Sequence, residues 1–364
     1  MVDLVTSLTR AFPPPRYLTM PAVGLDLSDN TVKCAELLPT REGLRLGRFG
    51  EAKLPEGCIA EGRVKEAGTL TQAIEEFAAE HRLQFVHGSL PAEHAYQFQT
   101  ELPADTPSAE LATAVEFSLK ENVPLPPEEL LYDFTLLTAP TRKKPIAAVS
   151  VYPIEIVESY TAICKDAGIQ PLSFETEAQA DARALVGKSN YETVMIVDIG
   201  RTGSELSIVS QGTPLFISSL EIAGNDITNV VKRFMQVSFA EAEQVKEERG
   251  FIKSEENNDL FEALLGPISD LRDEITKHLT YWHMHGSSQH HLATPDVDHI
   301  LLTGGGANLR GLVDYLNATM SLPVYTGNVW TNVDTFDNYI PPLPRAEALT
   351  YATALGLALR PHTN

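Results

Sequence analysis

Two acids and a glycine run are the residues of this chain best placed by type and spacing to do chemistry. Asp26 closes the apolar run VGLDL (23–27), and Asp198 closes TVMIVDI (193–199). Each acid is followed by a tight turn and a returning strand, with Ser28, Asn30, Thr31 and Lys33 after the first and Gly200 after the second. Carboxylates so placed can hold a hydrated Mg²⁺ and orient phosphate-bound water, while the turn behind them points backbone N–H groups inward. The third feature is Gly304-Gly305-Gly306 between a strand pattern and a helix pattern. Glycine lets backbone approach a ligand without a Cβ, and a following helix N-terminus favours an anion or a polar ring edge. The run does not fit a dinucleotide fingerprint, since Leu309 stands where the last glycine of G-x-G-x-x-G belongs. An ordinary β-hairpin with a polar tip describes the first stretch taken alone. Two acid hairpins followed by strand–GGG–helix, in that order, form a much more specific combination.

The elements that must position these residues follow from periodicity. Three short strands are expected at 23–27, 31–38 and 43–51, then a helix in VKEAGTLTQAIEEFAAEHR and a strand at 85–90. Residues 92–170 have another texture. HAYQFQTEL alternates; SAELATAVEFSLKENV has helical spacing at Leu111, Val115, Phe117 and Leu119 and stops at Pro124; LLYDFTLL and IAAVSVYP are two further strands; and IEIVESYTAICKDAGI is a helix ending near Gly168. A small α/β module inserted into a larger domain has this composition. The opening pattern then returns at 193–222, so that Asp26-x-Ser28 and Asp198-x-Gly200 match across 172 residues, an interval that predicts two related domains rather than a short-period repeat. Helical, acidic sequence follows at 226–285, and RAEALTYATALGLALR near the end is a helix small enough in its side chains to pack closely on a neighbour.

Bulk composition narrows the function classes. The chain has 364 residues, is 43% apolar and carries a formal charge of −21. So much negative charge opposes nucleic-acid binding and a polybasic membrane patch. A nucleotide pocket built of backbone N–H groups and a metal ion remains compatible with it. Cys34, Cys58 and Cys164 are odd in number and far apart, and read as reduced, buried thiols of a cytosolic protein. The first residues lack the pattern of a signal peptide, and no apolar window reaches the roughly 18–20 residues of a membrane span.

The order of motifs resembles the actin-like ATPase superfamily, which includes sugar kinases, heat-shock chaperones, actin and FtsA. Within it the sequence is most similar to the PilM family of type IV pilus assembly proteins, over nearly everything from Pro21 to Arg360. GLDLSDNTVKCAEL resembles the first phosphate motif, DIGRTGSELSIV the second and LTGGGANLRGL the adenosine motif. SLKENVPLPPEELLYDF, FETEAQADARAL and AGNDITNVVKRFMQVSFAEAEQVKEERG are similar to PilM stretches of the inserted subdomain, the interdomain connection and the second domain.

The resemblance implies an α/β actin-like ATPase fold, in which two related ribonuclease-H-like domains flank a nucleotide cleft. It places an arm at 1–20, a first domain at 21–188 with a subdomain inserted at about 92–170, a second domain at 189–340 and a returning helix at 341–364. It further implies ATP and Mg²⁺ in the cleft, with Asp26 and Asp198 on the metal side. Ser28, Asn30, Thr31 and Lys33 would form the first phosphate loop, and Asp198 with Gly200 the second. Gly224 and Asn225 would lie near the phosphates, Lys246 near the adenosine, and Gly304, Gly305, Gly306 and Asn308 at the base and ribose. The implied partner is a PilN-like inner-membrane protein, whose cytoplasmic N-terminal peptide lies in a groove beside the inserted subdomain. This contact would join pilus assembly ATPases to the membrane without direct insertion of this chain, leaving it cytoplasmic and recruited by its partner.

Two departures from the family pattern stand out. The first loop has Ser28-Asp29 in place of a glycine after Asp26, which adds negative charge beside a triphosphate. Arg201 replaces a small residue in the second loop. No catalytic residue is assigned, so slow or absent hydrolysis is expected. Two other readings are an enzymatic kinase or phosphohydrolase of the same superfamily and an FtsA-like filament protein. The former would need a base poised over an acceptor. The latter is disfavoured by a carboxy-terminal helix that ends in PHTN without an amphipathic anchor. The histidines of YWHMHGSSQHHL read as a solvated helix end, because His283 and His285 fall on different helix faces and His290 and His291 lie in a loop.

Overall fold

VGLDL is buried along its whole length, which an edge strand or a strand with one wet face cannot achieve. It is the middle strand of a five-stranded sheet. The computed structural model describes residues 22–40, 43–104, 106–137, 144–188, 190, 192–285, 295–333 and 339–362, so the expected arm at 1–20 lies outside the described residues. Strands β1 (Val23–Leu27), β2 (Thr31–Pro39) and β3 (Leu44–Lys53) form an antiparallel meander. A two-residue pair, β4 (Ile59–Ala60) and β5 (Arg63–Val64), leads into helix α1 (Ala67–His81). Leu70, Ile74, Phe77 and Ala78 recur at helical spacing on the buried face of α1. Burial of the larger three contributes about 1.5–3 kcal/mol each. Strand β6 (Phe85–Leu90) then returns parallel to β1.

The chain next leaves the sheet for a small module of β7 (Tyr96–Glu101), α2 (Leu111–Asn122), β8 (Leu130–Leu137) and β9 (Ile146–Pro153). Its three strands are ordered β7-β9-β8, all antiparallel. Val115 and Leu119 of α2 close its core against Val149 and Val151. Phe117, expected on that face, is 75% exposed. Two residues advance a helix by about 200°, so Phe117 cannot share a face with Val115.

Helix α3 (Ile154–Asp166) and strand β10 (Gln170–Thr176), parallel to β6, complete the first sheet. Ile156, Tyr160, Ile163 and Cys164 of α3 pack in the core of the first domain with Leu70 and Phe77, so the separate core of the module ends at β9 rather than near residue 170.

Helix α4 (Glu177–Leu185) connects the domains. Thr176 caps it by accepting from the Gln179 N–H, while the Gln179 side chain accepts from the Thr176 N–H. The second domain repeats the first. Strands β11 (Thr193–Ile199), β12 (Ser204–Ser210) and β13 (Thr213–Leu220) form the meander. Helices α5 (Gly224–Met235), α6 (Phe239–Arg249) and α7 (Asn258–His285) follow. Strand β14 (His299–Thr303) lies parallel to β11, and after α8 (Leu312–Thr319) strand β15 (Val324–Thr326) lies parallel to β14. The two sheets have one topology, β10-β6-β1-β2-β3 and β15-β14-β11-β12-β13.

A helical turn α9 (Arg345–Ala348) and helix α10 (Ala352–Leu359) bring the chain back against β1 and α4. A Cβ on Gly356 would collide with the Ala180 backbone of α4, and one on Gly24 would collide with the backbone of α10. Glycine at both places lets the three elements touch backbone to backbone.

Candidate nucleotide cleft

Strand geometry delivers both acids to one place. Asp26 stands opposite Lys33 across the first hairpin, and Asp198 stands between Glu205 on β12 and Thr303 on β14. The turn after Asp26 is tied by the Ser28 N–H donating to the Thr31 carbonyl at 3.0 Å, with the two hydroxyls also 3.0 Å apart. Across the cleft the tips of the hairpins meet, Asn30 Nδ2 donating to Thr202 Oγ1 at 3.1 Å.

A cavity of about 430 Å³ lies between the hairpins and is lined by Asp26, Ser28, Asn30, Thr31, Lys33, Asp198, Gly200, Gly304 and Gly305. A second, of about 460 Å³, is lined by Gly224, Asn225, Lys246, Gly306 and Asn308 and shares Gly200, Arg201, Gly305, Glu347 and Thr350 with the first. The two therefore adjoin, and every residue singled out from the sequence lines one or both. Gly304 has φ +77, and any Cβ there would meet the Asp198 carboxylate.

Several of these groups are already engaged. The Gly224 and Asn225 N–H groups donate to the Gly200 and Arg201 carbonyls at 2.9 and 2.8 Å, which stitches the start of α5 to the second hairpin. Lys246 Nζ donates to Thr228 Oγ1 at 2.7 Å, bracing α6 on α5, and burial lowers the pKa of its ammonium. Asn308 Nδ2 donates to the Ala346 carbonyl at 2.8 Å. Asp29, expected to crowd the phosphate loop with charge, lines the first cavity and accepts from the Glu61 and Gly62 N–H groups at 3.1 and 3.2 Å. Those two donors compensate its carboxylate and hold it against the β4–β5 turn.

The cleft also holds acids that sequence reasoning passed over, among them Glu177 at the start of α4 and Glu205, with Asp181, one turn on in α4, buried behind Asp198. Glu205 was within reach, because the four-residue turn after Ile199 fixes the register that places it alongside Asp198. Asp181 accepts from Thr353 Oγ1 at 3.0 Å and also bonds Asp198. Burial, with the Asp26 charge second, pushes Asp198 up to about 6, while burial and then the Asp198 charge push Glu205 up to about 8. Burial likewise raises Asp26, Glu177 and Asp181.

Carboxyls whose folded pKa lies above the unfolded value bind protons more tightly when folded, so their stabilising effect is present at low pH and lost as pH rises. The ligand-free protein is therefore expected to lose stability between about pH 5 and 8, with Glu205 accounting for a few kcal/mol. Thermal melts across that range should show the fall, and Glu205→Gln should flatten it. A melting temperature that rises with pH in both proteins would contradict this account.

The donor set fits Mg²⁺. Ser204 Oγ and Glu205 Oε2 are buried without a hydrogen-bond partner in the cleft, and Asp26 and Asp198 supply hard oxygen donors. Among the described residues no three His, Cys, Asp or Glu side chains converge as a metal site of their own. Mg²⁺ characteristically takes one or two carboxylates plus phosphate and water. Of the histidine cluster, His283 lies 3.3 Å from Asp296, while His290 and His291 are outside the described residues.

A separate groove of about 830 Å³ lies on the other side of α4. Its walls are Leu131, Asp133, Thr135, Ser150 and Tyr152 of the module, Phe174–Thr176, Gln179 and Arg183 of the first domain, and Gln211–Pro214 of the second. Glu175 on its floor is held by Arg183 and Arg360. Gln97 Nε2 of the module donates to the Pro214 carbonyl at 2.8 Å, bridging to the second domain.

Comparison with known proteins places the chain in a family and a fold. The family model described as Type IV pilus assembly protein PilM matches residues 24–362. The solved PilM-PilN type IV pilus biogenesis complex is 24% identical over 94% of this chain and 98% of that one, with a TM-score of 0.76. The ethanolamine utilization protein EutJ from Carboxydothermus hydrogenoformans is 15% identical over 96% and 90% of the two chains, with a TM-score of 0.54. MreB5 of Spiroplasma citri bound to ADP is 13% identical over 92% and 94%, also with a TM-score of 0.54. The fold is that of the actin-like ATPases.

Proposed function

The chain belongs to the type IV pilus assembly protein PilM family, and from that premise we propose that it is a nucleotide-binding adaptor of a pilus assembly machine. ATP with Mg²⁺ occupies the two adjoining cavities, and the N-terminal tail of a PilN-like inner-membrane protein occupies the groove across α4. Through that tail the adaptor is recruited to the membrane and linked to the assembly ATPases. Among the described residues no helix is long and apolar enough to cross a membrane, which is in keeping with recruitment by a partner.

In the cleft, Asp26 and Asp198 would hold the metal, whose positive charge offsets both the carboxylates and the phosphates. Lys33 and the first-hairpin turn face the phosphates, and Gly304 to Gly306 with Asn308 receive the base and ribose. Hydrolysis is slow, well below the median enzyme rate of roughly 10 per second. Glu177, the carboxyl nearest the start of α4, is held toward its protonated form by burial and the acids around it, and a protonated carboxyl accepts no proton.

The observation that carries the adaptor reading is the groove itself. Polar side chains such as Asp133, Thr135, Ser150 and Gln179 line it, and the edge strand β8 of the module forms one wall. Such a wall suits an extended peptide, with main-chain bonds giving affinity and side-chain pockets giving selectivity. The test is crosslinking from single cysteines, in a background lacking Cys34, Cys58 and Cys164, to a synthetic peptide of the first residues of the PilN-like protein. Leu131→Cys, Thr135→Cys and Thr213→Cys should label, and Phe234→Cys should not. Labelling confined to the 224–290 region would overturn the assignment.

A further inference from the structure

Few cations are available to a phosphate chain in the joined cavities. Lys33, Arg201, Lys246 and Arg310 line them, and carboxylates outnumber these four. Three of the four have settled work. Lys33 lies opposite Asp26 and its charge acts on both cleft acids. Lys246 braces α6 on α5. Arg310 donates to the Glu248 carbonyl at 2.8 Å. Arg201 differs in position and in partner. It rises from the phosphate-side hairpin and stands where the two cavities adjoin, lining both. Among the described residues its guanidinium pairs with a carboxylate, Glu243 on α6, at 3.2 and 3.4 Å, and its side chain is 47% exposed.

Resting on the nucleotide reading above, we propose that Arg201 is a phosphate-binding residue of this cleft, parked on Glu243 until a nucleoside triphosphate takes that carboxylate's place. The Arg201 carbonyl accepts from the Asn225 N–H at 2.8 Å, so the backbone is fixed and the exchange needs only side-chain rotation. A guanidinium presents the same planar two-point fork to phosphate as to carboxylate. A half-exposed pair at these distances contributes little, so a triphosphate of higher charge displaces Glu243 readily. The arginine also supplies a positive charge that an acidic cleft needs in addition to the metal. Adenosine, which has no phosphate, gives Arg201 nothing to hold.

The experiment is isothermal titration calorimetry of the full chain with Mg-ATP and, separately, with adenosine. Arg201→Ala should weaken Mg-ATP about 10-fold or more and leave adenosine within about 2-fold, as expected for loss of charge-assisted bonds to phosphate. Glu243→Gln should tighten Mg-ATP by about 3-fold, since the competing carboxylate is gone, and the double variant should behave as Arg201→Ala. Arg201→Lys, which keeps the charge but not the fork, should fall between. If Arg201→Ala leaves Mg-ATP affinity unchanged, or if Arg201→Ala and Glu243→Gln weaken Mg-ATP and adenosine alike, the pair is a structural brace and the proposal fails. A wild-type protein that binds neither ligand overturns the nucleotide reading, and this proposal with it.

Discussion

Asp198→Ala is expected to abolish the rise in melting temperature that Mg-ATP gives the wild-type protein. At a nucleotide concentration near 100 times the dissociation constant, binding to the native state alone adds about 2.7 kcal/mol, or roughly 3–4 °C for a chain of this size. The effect concentrates on Asp198 because that carboxylate ends β11 at the centre of the cleft, with Asp26 close enough to push its pKa upward and Gly304 shaped to lie against it. On the reading proposed above, removing it would take away one of the two strand-end carboxylates that would hold Mg²⁺. Differential scanning calorimetry with and without Mg-ATP decides the matter. Equal rises in the two proteins would show that the ligand binds elsewhere or without this acid.

The second large effect is structural. Gly356→Leu is expected to destabilise the protein by at least about 3 kcal/mol, at the upper end of overpacking costs, because the clash is with backbone rather than with a side chain that can turn aside. A side chain there meets the carbonyl and Cα of Ala180. It must push α10 from α4, and with them Thr353 from Asp181. Against a typical total of about 5–15 kcal/mol, such a loss lowers the denaturant midpoint visibly. Urea unfolding of Gly356→Leu beside Gly356→Ala would measure it, and an unchanged midpoint would mean that the helices part without cost.

The hairpins, the glycine turn and the strand at 85–90 were legible because each is local: an apolar run, an acid or glycine and a turn lie within ten residues of one another. The repeat was legible for the same reason twice over. What escaped the sequence is long-range. What holds Asp29 could not be read locally, because the N–H groups that donate to it belong to Glu61 and Gly62, more than thirty positions away. Glu177 and Asp181 looked like members of a helical connection, and only the assembled fold shows that Glu177 lines the cleft and that Asp181 is buried behind it, bonded to Thr353 and Asp198. Phe117 failed differently, since the helix was right but its spacing from Val115 places it on the wet side.

The contact between Asn30 and Thr202 joins positions separated by the full period of the repeat, 172 residues. Each tip residue thus faces its own counterpart, as happens on the two-fold axis of a symmetric pair of subunits. The cleft can be regarded as an isologous interface whose halves have been fused into one chain. Fusion frees each half to vary alone, and the neighbouring positions show the result. Asp29 in one half corresponds to Arg201 in the other, one charge held on a backbone turn and the opposite charge paired with a carboxylate, both at the rim of the same cavity. A true dimer must carry the same residue at both places; this pseudo-dyad carries opposite charges, and so gives a polarity to a site that symmetry would have left without one.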